Sequence, residues 1–177
     1  EQAAEVAWSK GDYDRVGKLV DEIDALRPGY APAQQIRAAW LAQRGECTEA
    51  IGQARRALDG RMDPRQRAEA HAVLAECLGR VGKTAEALRH ADRALASDHI
   101  DRIPDYHVLK AFLLQLEQRL AEADREAVVA LETSRWDPVV VAALRERGLP
   151  RLVEIVSSRG RGGDGRFSVS GVVLNRG

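Results

Sequence analysis

Two stretches of this chain nearly repeat one another: GECTEAIGQARRAL, Gly45 to Leu58, and GKTAEALRHADRAL, Gly82 to Leu95. Self-similarity at a fixed period constrains a fold more than any other feature, because each copy must adopt the same local structure and bury the same face. A further copy, GDYDRVGKLVDEIDALRP, begins at Gly11, and a fourth, QRLAEADREAVVAL, carries Gln118 in place of the glycine. The four anchors lie 34, 37 and 36 residues apart. Five residues after each anchor stands Val16, Ala50, Ala87 or Ala123, and twelve after it stands Ile23, Ala57, Ala94 or Ala130.

The spacing within a copy has a helical period. Ala50, Ala54, Ala57 and Leu58 fall at i, i+4, i+7 and i+8, one face of an α-helix. Ala87, Ala91, Ala94 and Leu95 repeat that face, as do Ala123, Ala127, Ala130 and Leu131. A second helical pattern precedes each anchor: Ile36, Ala39, Trp40 and Gln43 in copy two, Val73, Leu74, Cys77, Leu78 and Val81 in copy three, Val108, Leu109, Phe112, Leu113 and Leu116 in copy four. Each unit is therefore a helix, a tight turn at the anchor, and a second helix. Asp63-Pro64 and Asp137-Pro138 set a capping carboxylate before a proline suited to a first helical turn, and Gly60 ends the helix after Leu58. A helical pair cannot bury its apolar face alone, so stacked copies build one continuous core.

These residues resemble the tetratricopeptide repeat family, whose period is 34 residues with a glycine and aromatic at the turn, alanines in the second helix and a closing proline. Gly11, Tyr13 and Pro28 match in copy one, Gly45, Ala50 and Ala57 in copy two, and Gly82, Ala87 and Ala94 in copy three. Copy four keeps Ala123, Ala130 and a late Pro138. The expected fold is all-α, a right-handed solenoid of repeats at about 1–30, 31–64, 65–101 and 102–137. Copy one lacks most of its first helix, which implies that the array starts upstream. The extra residues of the longer spacings are expected in the turns near Arg61–Arg67 and Ser97–Pro104.

Residues 138–158 read as capping helices that close the open end of the stack, with Arg145, Glu146 and Arg147 toward water. Residues 159–166, RGRGGDGR, read as a glycine-rich linker. Residues 167–177, FSVSGVVLNRG, alternate and are β-branched, a β-prone tail that could open a further domain. The run SGVVLNRG resembles the opening strand of small extracytoplasmic β-sandwich modules, which implies a cell-envelope setting.

Several function classes lack support. Lys+Arg and Asp+Glu both number 27, without the basic excess of a nucleic-acid binder. No apolar run reaches membrane-spanning length. Cys47 and Cys77 form no CxxC pair and read as small core residues. His71, His90, His99 and His107 form no HxxxH or His/Cys cluster, so neither a metal nor another cofactor is expected. His71 and His107 occupy equivalent places in copies three and four and read as packing positions. No GxSxG, Walker loop or strand-linked GxGxxG is present, so no enzymatic activity is expected.

The family resemblance implies a site instead. In that family the first helix of each repeat lines a concave groove along which peptides lie. Matched by position, this gives Trp8 with Glu5 and Ser9, then Gln35, Ala39 and Gln43, then Glu69, Ala72, Glu76 and Arg80, then Asp105, Val108 and Phe112 with Gln115. The lysines and asparagines with which chaperone-binding members hold a terminal carboxylate are absent. Glu69, Glu76 and Asp105 suggest a partner peptide with basic and apolar side chains. The implied function is a protein-interaction scaffold without catalysis. The alternative is a regulatory or substrate-presenting segment of a larger enzyme or sensor. Self-association through a solenoid end or the Phe167–Leu174 strand is a further expectation.

Overall fold

A computed structural model describes residues 2–97, 102–147 and Leu149. Among them are nine α-helices and no strand: α1 (Gln2–Ser9), α2 (Tyr13–Leu26), α3 (Ala31–Gln43), α4 (Cys47–Asp59), α5 (Pro64–Arg80), α6 (Thr84–Leu95), α7 (Ile103–Leu116), α8 (Leu120–Thr133) and α9 (Pro138–Glu146). The second capping segment, the glycine-rich linker and the β-prone tail lie outside the described residues.

One turn geometry recurs at every anchor. Gly11, Gly45 and Gly82 take left-handed φ values of 71°, 79° and 80°. Gln118, which replaces the glycine in copy four, is forced into the same region at φ 59°. The next residue's N–H then reaches back five residues to a helix carbonyl: Asp12 to Ala7 (3.0 Å), Glu46 to Leu41 (3.0 Å), Lys83 to Leu78 (2.8 Å) and Arg119 to Leu114 (2.9 Å). This is the closure that satisfies a helix's last carbonyls when the chain reverses. The α8–α9 connection repeats it with Arg135 at φ 52° and Trp136 N–H on the Leu131 carbonyl at 2.8 Å.

The alanine faces form the core. Ala50, Ala54, Ala57, Ala87, Ala91, Ala94, Ala127 and Ala130 are fully buried, and Ala123 nearly so. One apolar cluster runs continuously from Ala38 in α3 to Leu149. A smaller one gathers Ala4, Ala7, Val16, Val20 and Ile36 at the N-terminal end, and Trp40 packs against both. Trp40 is fixed there because its indole N–H donates to the Tyr13 carbonyl (2.8 Å) and its ring covers Gly17, where an added Cβ would lie 3.0 Å from it.

Each helix packs on the next in sequence, and α3, α5, α7 and α9 also pack on one another in order. The even-numbered helices have no comparable mutual contact among the described residues. The odd-numbered helices α3, α5, α7 and α9 therefore form one continuous row along the same side of the described residues.

The extra residues of the 37-residue spacing do not sit in a turn as expected. They lengthen α5 to 17 residues against 13 in α3. Asp63 accepts from Gln66 N–H (2.8 Å) and Gln66 returns its side chain to Asp63 N–H (3.2 Å), a capping box that starts the helix early with Pro64 in its first turn. The extra residues of the 36-residue spacing fall in the connection before α7, of which 98–101 lie outside the described residues. At the C-terminal end α9 packs on α7 and α8 through Val140 and Leu144, with Asp137 capping its Val139 N–H at 2.7 Å.

Candidate functional site

The outward faces of α1, α3, α5 and α7 enclose a groove of about 590 Å³. Its residues recur at helical spacing: Gln35, Ala39, Ala42 and Gln43 from α3, Glu69, Ala72, Val73 and Glu76 from α5, Asp105, Val108 and Leu109 from α7. Glu5, Trp8 and Ser9 come from α1. Of the fourteen residues implied by the family resemblance, eleven share this surface: Glu5, Trp8, Ser9, Gln35, Ala39, Gln43, Glu69, Ala72, Glu76, Asp105 and Val108.

Arg80, Phe112 and Gln115 do not line it. Arg80 turns back along its own helix to Glu76 (2.7 Å) and donates to the Ala42 carbonyl (3.4 Å), tying α5 to α3 at the rim. Phe112 is half-buried and carries the Arg147 guanidinium 5.8 Å from its ring centre. Arg147, expected to face water, thereby becomes part of the groove wall at the α9 end.

The electrostatics differ from the sequence expectation. Each acid taken as a lure for basic ligands has an arginine of its own. Arg65 meets Glu69 at 3.1 Å, Arg80 meets Glu76 at 2.7 Å, and Arg102 meets Asp105 at 3.0 Å. All three are local pairs three or four residues apart on or beside one helix, so they form without any occupant in the groove. The floor between them is short and apolar: Ala39, Ala72, Val73 and Val108 leave the volume that larger side chains would fill.

Tyr106 is the residue that sequence reasoning missed. It lines the groove, is 3% exposed, and packs against Ala68 of α5 and Ala94 of α6. Its hydroxyl is buried without a hydrogen-bond partner. Burial pushes its pKa up to about 12, so the hydroxyl keeps its proton. The neighbouring copies carry Ala33 and Ala70 at the corresponding place, so repeat alignment offered no signal.

Away from the groove, a polar pair recurs at one register. His71 and His90, 19 residues apart, join α5 to α6 with their Nδ1 atoms 3.0 Å apart. The ring centroids are only 5.1 Å apart, so the two nitrogens lie almost on the line between the rings. That head-on arrangement suits one shared proton and leaves no room for a metal ion between them. Burial and then the neighbouring His90 lower the His71 pKa to about 4, and burial followed by Arg93 lowers that of His90. In copy four the same register pairs His107 with Glu126 at 2.6 Å, and Lys110 adds ion pairs to Glu126 and Asp92, both 2.9 Å. His71 and His107 thus serve as inter-helix polar joints rather than simple packing residues.

Cys47 and Cys77 are buried free thiols, and burial, followed by their mutual hydrogen bond, pushes the Cys77 thiol pKa up and away from reactivity. Among the described residues no three His, Cys, Asp or Glu side chains converge as a metal site, and no helix is long and apolar enough to cross a membrane. No family model matches the sequence, and no curated protein matches it either.

Proposed function

We propose that this chain is a protein-interaction module without catalysis: a right-handed solenoid of tetratricopeptide-like repeats whose groove receives a segment of a partner protein. The supporting observation is that four helices from successive copies turn their unburied faces into one groove of about 590 Å³. A helix face that packs against nothing and repeats in register with its neighbours is shaped for an elongated occupant, and volumes in this range bury ligand-sized segments. The recurrent turn closure and the chain of odd-helix contacts support the repeat assignment.

The test is site-specific photocrosslinking in cells from Ala72 in the groove floor, beside the same probe at Arg89, exposed on α6 outside the groove. A discrete adduct from position 72 that position 89 does not give, and that is lost on Ala39→Arg, is the expected result. The same set of adducts from both positions would remove the groove as the working surface.

A further inference from the structure

Two polar side chains in the groove are each more than nine-tenths buried and unengaged. Gln35 is 5% exposed, and its side-chain amide makes no hydrogen bond with the described residues. Tyr106 is 3% exposed with an unpartnered hydroxyl. Buried polar groups are nearly always satisfied, so the unpartnered Tyr106 hydroxyl, in the same groove as a Gln35 amide that bonds to nothing in the protein, marks a place where an occupant completes the bonding. They sit on α3 and α7, on either side of the α5 floor.

The groove's charges, by contrast, are already met. Glu69, Glu76 and Asp105 are paired with arginines, Glu5 lies within electrostatic reach of Arg65, and Arg147 rests on Phe112. A basic ligand would have to displace an arginine that is tethered a turn away, gaining little over the pair it breaks.

We propose that the groove binds an extended peptide segment that is uncharged along its centre, with bulky apolar side chains over the alanine floor and its main-chain amides read by Gln35 on one side of that floor and by Tyr106 on the other. The proposal rests on the groove being the binding surface. A carboxamide offers two donors and an acceptor, the complement of one peptide unit and no match for a lone charge. An extended segment has free peptide N–H and C=O groups, whereas a helix has spent its own. The short side chains of Ala39, Ala72 and Val108 leave the room that bulky apolar side chains fill. The Tyr106 hydroxyl has the Arg65–Glu69 and Arg102–Asp105 pairs as charged neighbours, and such exposed pairs swing aside at small cost to admit a ligand.

The experiment selects binders from a random dodecapeptide phage library against the full chain. The best peptide is then measured by fluorescence anisotropy at low and high salt. The expected winners have uncharged centres rich in aliphatic or aromatic residues, with affinity changing less than about twofold across the salt range. Gln35→Met should weaken binding about tenfold. N-methylation of one peptide amide should do the same with the unaltered protein, which keeps the test alive should the variant fold poorly. Tyr106→Phe should raise the melting temperature of the free protein while weakening the peptide several-fold, two effects of opposite sign that a purely structural tyrosine would not give. Lysine- or arginine-rich winners whose affinity collapses with salt, or indifference to both Gln35→Met and every N-methylation, would overturn the proposal and leave the groove as the binding surface. Binding unaffected by Ala72→Arg, or no enriched sequence, would overturn both.

Discussion

Gly60→Ala should open the α3–α4 hairpin at one end. Gly60 is extended (φ −96°), so its backbone suits any residue, and what requires glycine is proximity. A Cβ built there falls 2.5 Å from the Ala31 Cβ, 3.5 Å from the Ala57 carbonyl oxygen and 3.7 Å from the Ala31 Cα. Carbon atoms in contact prefer about 3.5–4.0 Å, so the two segments must part by roughly 1 Å. Neither can rotate away. The Ala31 methyl is fixed on the first residue of α3, with Pro32 behind it, and Gly60 is held by its N–H on Ala57. Overpacking of this kind costs about 1–3 kcal/mol, offset by about 0.4–1 kcal/mol from the reduced freedom of the unfolded alanine chain. The net is a loss of about 1–2 kcal/mol, or roughly 2–8 °C in melting temperature for a domain of this size. Circular dichroism melts and urea titrations of Gly60→Ala, Ala31→Gly and the double variant close a thermodynamic cycle. Relief of the clash should appear as a coupling of about 1 kcal/mol or more. A Gly60→Ala protein as stable as the parent, or a coupling under about 0.3 kcal/mol, would refute the close approach of these two segments.

Other outcomes can be checked in the same assays. Gly82→Ala, at φ 80° with open space around it, should cost about 1 kcal/mol from backbone strain alone, while Gln118→Gly should leave stability unchanged or raise it by about 0.5 kcal/mol by relieving the same strain. Ala87→Leu, at a fully buried position, should cost roughly 1–3 kcal/mol, seen as a lower urea midpoint. The histidine pair should make stability fall with acid. Both folded pKa values lie below the unfolded value, so the unfolded chain binds more protons below about pH 6.5, and the stabilisation present above that pH is lost as pH falls toward 4. After discounting for its half-exposure, His71 accounts for about 1 kcal/mol between pH 7.5 and 5, and His71→Gln/His90→Gln should flatten that part of the melting-temperature profile.

Much of the fold was legible because the relevant physics is local. The alanine faces of α4, α6 and α8 follow from periodicity, and all nine of those alanines are buried. Asp63 and Asp137 cap helices as their Asp-Pro context implies. Carrying the repeat register onto each first helix gathered eleven of the fourteen implied residues in the groove, since a shared register puts equivalent side chains on one surface. Local rules also failed where they competed. The α5 capping box drew into the helix residues that spacing alone assigned to a turn. Gln118 adopts a glycine's conformation because the hairpin on either side of it dictates the reversal.

The sequence by itself determined the helix pairs, their turns and their buried faces, because these depend on interactions within a few residues or on a period that every copy shares. Only the tertiary structure decided which polar groups meet. The pairing of His71 with His90, that of His107 with Glu126, and the unpartnered Tyr106 hydroxyl depend on distances across helices. Hydrogen bonds and ion pairs are lost within about an ångström of misplacement. A repeat period sets a residue's face but not that distance, so the groove's outline could be read in the sequence and its chemistry could not.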